Sequence, residues 1–232
     1  MKLLLTRLLA MLFALTAFAA FAQTVELGTF DRVVGQVNVI ASSGTSRLVG
    51  RGSRLASGEV VTTDENSEAV IITSDGARMI LRAKSRLEIT EYRFDKTNND
   101  GSFLVKLIKG GLRSVTGLIG NTRPLNQRVA TATATVGIRG TDFEVVVVEA
   151  DSGDLREGTY DHVFEGATVL QLASGQTLDV PKDKTGLALA NPRPGEAQLQ
   201  LLDTRPAFIR GGGFDAMQLI QTRPQTTIRR LQ

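Results

Sequence analysis

The chain has 232 residues, enough for one or two domains, and 27 Lys and Arg against 24 Asp and Glu give it a formal charge of +3. It contains no cysteine, no tryptophan and a single histidine, His162. That composition excludes disulfides, thiolate metal sites, thiol catalysis and a lipidated cysteine anchor, and leaves histidine-based catalysis one candidate.

The first 22 residues read as a secretory leader. Lys2 and Arg7 come before any acid, Leu8 to Phe18 is apolar apart from Thr16, and Ala20-Phe21-Ala22 puts small residues where a signal peptidase reads them, so cleavage is expected before Gln23. The apolar run is short for a membrane span, and no stop-transfer segment is expected in the mature chain. Without Lys2 and Arg7 the charge falls to +1, so overall basicity says little about partners.

From Val25 to about Leu189 the hydrophobic period is two. Val33 to Ile40 reads as one strand, followed by Glu59 to Thr63 and Glu68 to Thr73. Asp75-Gly76 signals a hairpin whose return strand is Ala77 to Arg82. Arg86 to Tyr92 alternates Leu87 and Ile89 inward with Glu88 and Thr90 outward. Asn98-Asn99-Asp100-Gly101 marks a second hairpin loop, after which Phe103, Val105 and Leu107 alternate with Leu104, Lys106 and Ile108; Gly110-Gly111 is expected to end that strand. No run between Val25 and Thr141 has both the length and period of a helix. Phe143 to Val148 reads as a strand covered on both faces, and Tyr160 to Phe164, Thr168 to Leu172 and Thr177 to Val180 supply more. Turns recurring about every ten residues suit a sandwich or barrel.

Composition changes at Asn191-Pro192-Arg193-Pro194-Gly195. Glu196 to Asp203 is expected to form a short helix with Ala197, Leu201 and Leu202 inward; Gly211-Gly212-Gly213 then breaks the chain before a second amphipathic turn around Phe214 and Met217. The expected organisation is a leader at 1–22, a β domain at 23–190 and a tail at 191–232 that is partly helical and disordered toward its end.

Chemistry is sparse. There is no G-x-S-x-G elbow, and Asp161-His162 has no supporting nucleophile, so His162 reads as a surface or boundary residue. Asp95 to Asp100 lacks the order of a calcium loop, and Glu149 to Asp154 reads as a solvated turn. Gly110-Gly111 is followed by no expected helix that would present a phosphate site. The basic tail residues Arg223, Arg229 and Arg230 have no aromatic neighbours, which argues against nucleic acid. No catalytic residue, metal ligand or cofactor is assigned.

The informative segment is Thr135-Val136-Gly137-Ile138-Arg139-Gly140-Thr141-Asp142-Phe143-Glu144-Val145: a strand, a glycine-flanked arginine, and a second strand. Gly137 and Gly140 permit a bulge or corner where a Cβ is not tolerated. Arg139 is expected to be held between them, pinning neighbouring loops or contacting a ligand. The candidate binding residues are Arg139, Gly137, Gly140, Thr141 and Asp142.

That segment resembles the V-G-I-R-G-T signature of the FecR domain family. Gly50 to Thr63 is similar to the family's early G-x-x-L-x-x-G-D-x-I-x-T pattern, with Glu59 for the usual Asp. Ala69 to Leu81 is similar to its A-x-I-x-x-x-D-G-S-x-I-x-L hairpin, with Ala77 for Ser, and Leu107 to Arg113 to its L-x-x-G-x-V-R step. The resemblance runs from about Thr29 to Val148, with a continuation expected to about Ala190, and implies a periplasmic all-β domain of jelly-roll or double-stranded β-helix type; the strand pattern by itself leaves a β-solenoid as the alternative reading. The best-known members are transmembrane anti-sigma regulators that sense an outer-membrane receptor. With a cleavable leader and no later span, this chain is expected instead to be a stand-alone periplasmic module, non-enzymatic, acting in envelope signalling or assembly through an envelope protein partner. Binding to peptidoglycan or another envelope polymer is the alternative.

Overall fold

The computed structural model describes residues 25–153 and 155–209. The leader, the triple glycine and the second expected helical turn lie outside the described residues. Within them the regular secondary structure is almost entirely strand, and sixteen paired ladders join the strands into two facing layers.

The strands are β1 (Glu26–Val34), β2 (Val37–Ile40), β3 (Ser46–Leu48), β4 (Arg54–Ala56), β5 (Val60–Thr63), β6 (Glu68–Thr73), β7 (Arg78–Leu81), β8 (Arg86–Asp95) and β9 (Asp100–Val115). After a single helical turn, α1 (Leu118–Thr122), come β10 (Gln127–Ala130), β11 (Thr135–Ile138), β12 (Asp142–Val148), β13 (Gly158–Glu165), β14 (Ala167–Gln171), β15 (Thr177–Pro181), β16 (Thr185–Leu189) and β17 (Leu199–Leu202). The first sheet runs β4-β1-β6-β7-β9-β12-β13-β16-β17. The second runs β3-β2-β5-β8-β9-β10-β11-β14-β15. After β9, hairpins fall alternately in the second and first sheets, the winding of a double-stranded β-helix-like sandwich. A solenoid of stacked parallel strands is not what forms: among the described residues only the β9–β10 ladder is parallel.

The core lies between the sheets and is built by strict alternation. Val39, Ile71, Met79, Leu81, Ile89, Val105, Leu107, Phe143 and Val145, the residues that period two turns inward, all belong to one buried cluster. A second, smaller cluster lies on the outer face of the first sheet. There Tyr160, Leu187 and Leu189 are covered by Phe208 and Ile209 of the segment after β17. The β12 strand is therefore covered on its outer side as well, where Val146 and Val148 meet that cluster.

Four local expectations are corrected. Val33 to Ile40 is two strands, because Gly35 adopts φ +70 and a Cβ there would lie 2.3 Å from Ser67 Oγ. Gly110-Gly111 does not end β9 but bends it: residues up to Lys109 pair in the second sheet and those from Gly110 in the first, with Gly110 at φ +84. The turn α1 follows β9 where no helix was expected, and it has no propensity or period to announce it; Asp75 supplies its N-terminal acceptors from another hairpin. Its main-chain carbonyl accepts from Leu118 N (2.9 Å) and its Oδ2 from Ile119 N (3.2 Å). Finally, the expected helix at Glu196 to Asp203 is the strand β17, paired with β16 from Ala188↔Leu199 to Thr185↔Leu202. An open sheet edge supplied by β16 outweighs the weak helical pattern of so short a segment.

Candidate functional site

The glycine-flanked segment forms a corner between the sheets. The β11 strand lies in the second sheet and β12 in the first, and residues 139–141 carry the chain across, with Gly140 at φ +67. A parallel crossing from β13 to β14 passes through Gly166, at φ +79, where a Cβ would sit 2.2 Å from Gly140 O. The two corners are stacked backbone on backbone, and Arg139 N donates to Ala167 O (3.2 Å). A third crossing leaves β9: Thr116 donates through its N–H and its hydroxyl to Thr141 O, and Thr141 N donates back to Thr116 Oγ1 (2.8 Å).

Beside this stack is a hollow of about 650 Å³ lined by Arg113, Thr116, Asn121, Gly140, Thr141, Asp142, Phe164 and Arg205, among others. The Arg113 guanidinium, only 2% exposed, donates two parallel hydrogen bonds to Asp142, Nε to Oδ1 at 2.9 Å and Nη2 to Oδ2 at 2.8 Å. Its carbon lies 4.0 Å from the centre of the Phe164 ring, and that of Arg205 lies 5.7 Å from the same centre. Phe164 also meets the edge of His162 at 4.7 Å. The result is an aromatic platform held by cations, with the neutralised Arg113–Asp142 pair as its floor and the exposed Arg205 at its rim. Next to it on the outer face, Arg82 makes a second bidentate pair with Glu144 (2.9 Å for both bonds); burial nonetheless raises the Glu144 carboxyl above its ordinary value.

Of the five candidate residues, the structure brings three together: Gly140, Thr141 and Asp142 line the hollow. Gly137 does not reach it. It is buried in β11, where a Cβ would meet Leu125 and Val169 side chains at 3.0 Å. Arg139 is not buried between its glycines; its half-exposed side chain makes a surface ion pair with Asp179 at 3.3 Å. His162 is not a surface residue: it is 4% exposed, its Nδ1 lies 2.9 Å from Thr185 Oγ1, and burial lowers its pKa. The residues missed from sequence are Phe164, whose outward position on β13 follows from alternation but whose neighbours do not, and Arg205, which arrives from beyond the expected domain end. Arg113 stood at the end of a motif with nothing to show that it is buried.

Two further hollows, about 690 and 580 Å³, lie elsewhere and hold none of the candidate residues. Among the described residues no cluster of three His, Cys, Asp or Glu could hold a metal ion, and no helix is long and apolar enough to cross a membrane.

The fold is an all-β sandwich whose corner residues frame an aromatic, cation-lined hollow. The FecR protein family matches residues 59–183, more than half of the chain, and the chain belongs to that family. The match covers the β5–β15 region, including the stacked corners and Arg113, Asp142 and Phe164. No curated protein matches the sequence significantly. Two crystal structures of a candidate anti-sigma factor from Parabacteroides distasonis ATCC 8503 are similar in fold. One is 15% identical over 62% of this chain and 59% of its own, the other 14% identical over 70% and 65%, each with a TM-score of 0.47. The chain therefore spans less than two thirds of the length of either.

Proposed function

We propose that this protein is a non-enzymatic regulatory module of the cell envelope that works in the periplasm by receiving a segment of another envelope protein. The observation that carries the reading is the hollow beside the stacked corners. It is lined by Gly140 and Thr141 of the V-G-I-R-G-T signature together with Asp142, and offers Phe164 and Arg205 as an apolar platform with a cationic rim. Such a surface suits a partner side chain that is flat or apolar with an acidic neighbour, because ring stacking and a desolvated guanidinium are what anchor protein interfaces. The leader-like N-terminal sequence supports the compartment, and family membership supports a signalling role.

The test is in-cell crosslinking of the full-length protein followed by affinity capture and mass spectrometry. Specific capture of an envelope protein, lost with Arg205→Glu and with Phe164→Ala, is expected. Capture of glycan fragments alone would move the assignment to envelope-polymer binding.

A further inference from the structure

Asp161 occupies a position that the binding reading does not use. It is on the inner face of β13, 0% exposed, opposite Val145 on β12 and Gly186 on β16. The space above Gly186 is filled by Leu170 and Val180 of the second sheet. One carboxyl oxygen, Oδ2, accepts from Thr168 Oγ1 at 2.5 Å, while Oδ1 has no hydrogen-bond partner.

No charge among the described residues balances it. On β12, Asp142 and Glu144 turn to the outer face and are held by Arg113 and Arg82. The β11, β14 and β16 strands carry no titratable residue. On β15, Asp179 pairs with Arg139 at the surface. On β13 itself, Tyr160 and His162 face outward and Glu165 pairs with Lys182. A neutral carboxyl tolerates such a site at modest cost, whereas an ionised one has only the Thr168 hydroxyl to compensate it. Thr168 lies two residues beyond Gly166, and its neighbour Ala167 accepts from Arg139 N, so Asp161 is joined to the stacked corners by a short, continuous run of backbone.

We propose that Asp161 is a proton-operated latch between the two sheets: the closed core accommodates its neutral carboxyl beside Thr168, and its ionisation, for which that core holds no counter-charge, favours opening of the β13–β14 crossing at the Gly140–Gly166 corner. Burial pushes the Asp161 pKa up to about 7, so the drive to open grows as pH rises toward neutrality and levels off above it. That the released corner alters partner binding rests on the function proposed above; the latch does not.

The experiment is hydrogen exchange of the full chain at pH 6.5 and 8.5, read as protection factors for peptides spanning 136–146 and 160–170. His162 is held below its ordinary value by burial. Protection in the wild type is expected to fall about fourfold at the higher pH and to stay constant in Asp161→Asn. Unchanged protection in the wild type, or an equal fall in both, would overturn the latch while leaving partner capture untouched. Thermal unfolding supplies a second readout. A raised folded-state pKa means that stability is fully present below the unfolded value near 3.8 and is lost as pH rises to about 7. The Tm advantage of Asp161→Asn should therefore grow by about 3–5 °C per pH unit between pH 4 and 7 and level off above. If the Asn variant fails to fold, Thr168→Val serves: loss of the one donor makes ionisation harder, so the midpoint of the wild-type transition should move to higher pH, and a midpoint that stays put contradicts the proposal.

Discussion

Two arginines at the corner have opposite energetic roles. Arg139 is half exposed and its partner Asp179 more so. Such pairs contribute little, so Arg139→Ala should change stability by less than about 1 kcal/mol in urea denaturation. Arg113 is buried, with both forks on Asp142. Asp142→Ala would leave that guanidinium in the interior without its carboxylate and should cost about 3 kcal/mol. The sequence shows Arg139 plainly, because two glycines frame it, and hides Arg113, because its partner is 29 residues away on a strand whose register only the fold supplies. Asp75 makes the same point. In the sequence it is half of a turn signal. In the structure it is 1% exposed, accepts from Thr73, Tyr92 and Ile119, and leaves no room for a Cβ at Gly117, which would come within 2.4 Å of its Oδ2. Asp75→Ala should destabilise by about 2–3 kcal/mol, since several buried donors lose their acceptor together.

Among the elements, β9 organises the most. Among the described residues it is the one strand that belongs to both sheets, and Gly110 is where it changes sheet. The reach of a Cβ there, 2.1 Å from Ser85 Oγ, together with φ +84, predicts that Gly110→Ala costs about 2–3 kcal/mol and lowers the urea midpoint with an unchanged slope. Alternation alone locates most of the strands and their inward residues, because period two is a local property that burial on one face enforces. It does not separate a glycine that ends a strand from one that bends it; that depends on whether a second sheet waits beyond. Nor does it find β17, which is a strand only because β16 presents an edge, or α1, whose caps come from a distant hairpin.

For the whole molecule, the two-layer winding brings three sheet crossings to one place, and the family's signature residues are there because the crossings need them. Gly140 and Gly166 allow backbone to stack on backbone, Thr116 and Thr141 tie the outer turns together, and the hollow is bounded by what remains exposed. The proposed site is thus half structural and half open, and Phe164 with Arg205 forms the open half. The most direct test is crosslinking and capture of an envelope partner by the full-length protein beside its Arg205→Glu and Phe164→Ala variants, with each variant's unfolding curve recorded. The account predicts a specific protein partner that is lost in both variants while folding is retained. Retention of the same partner by two folded variants would contradict it.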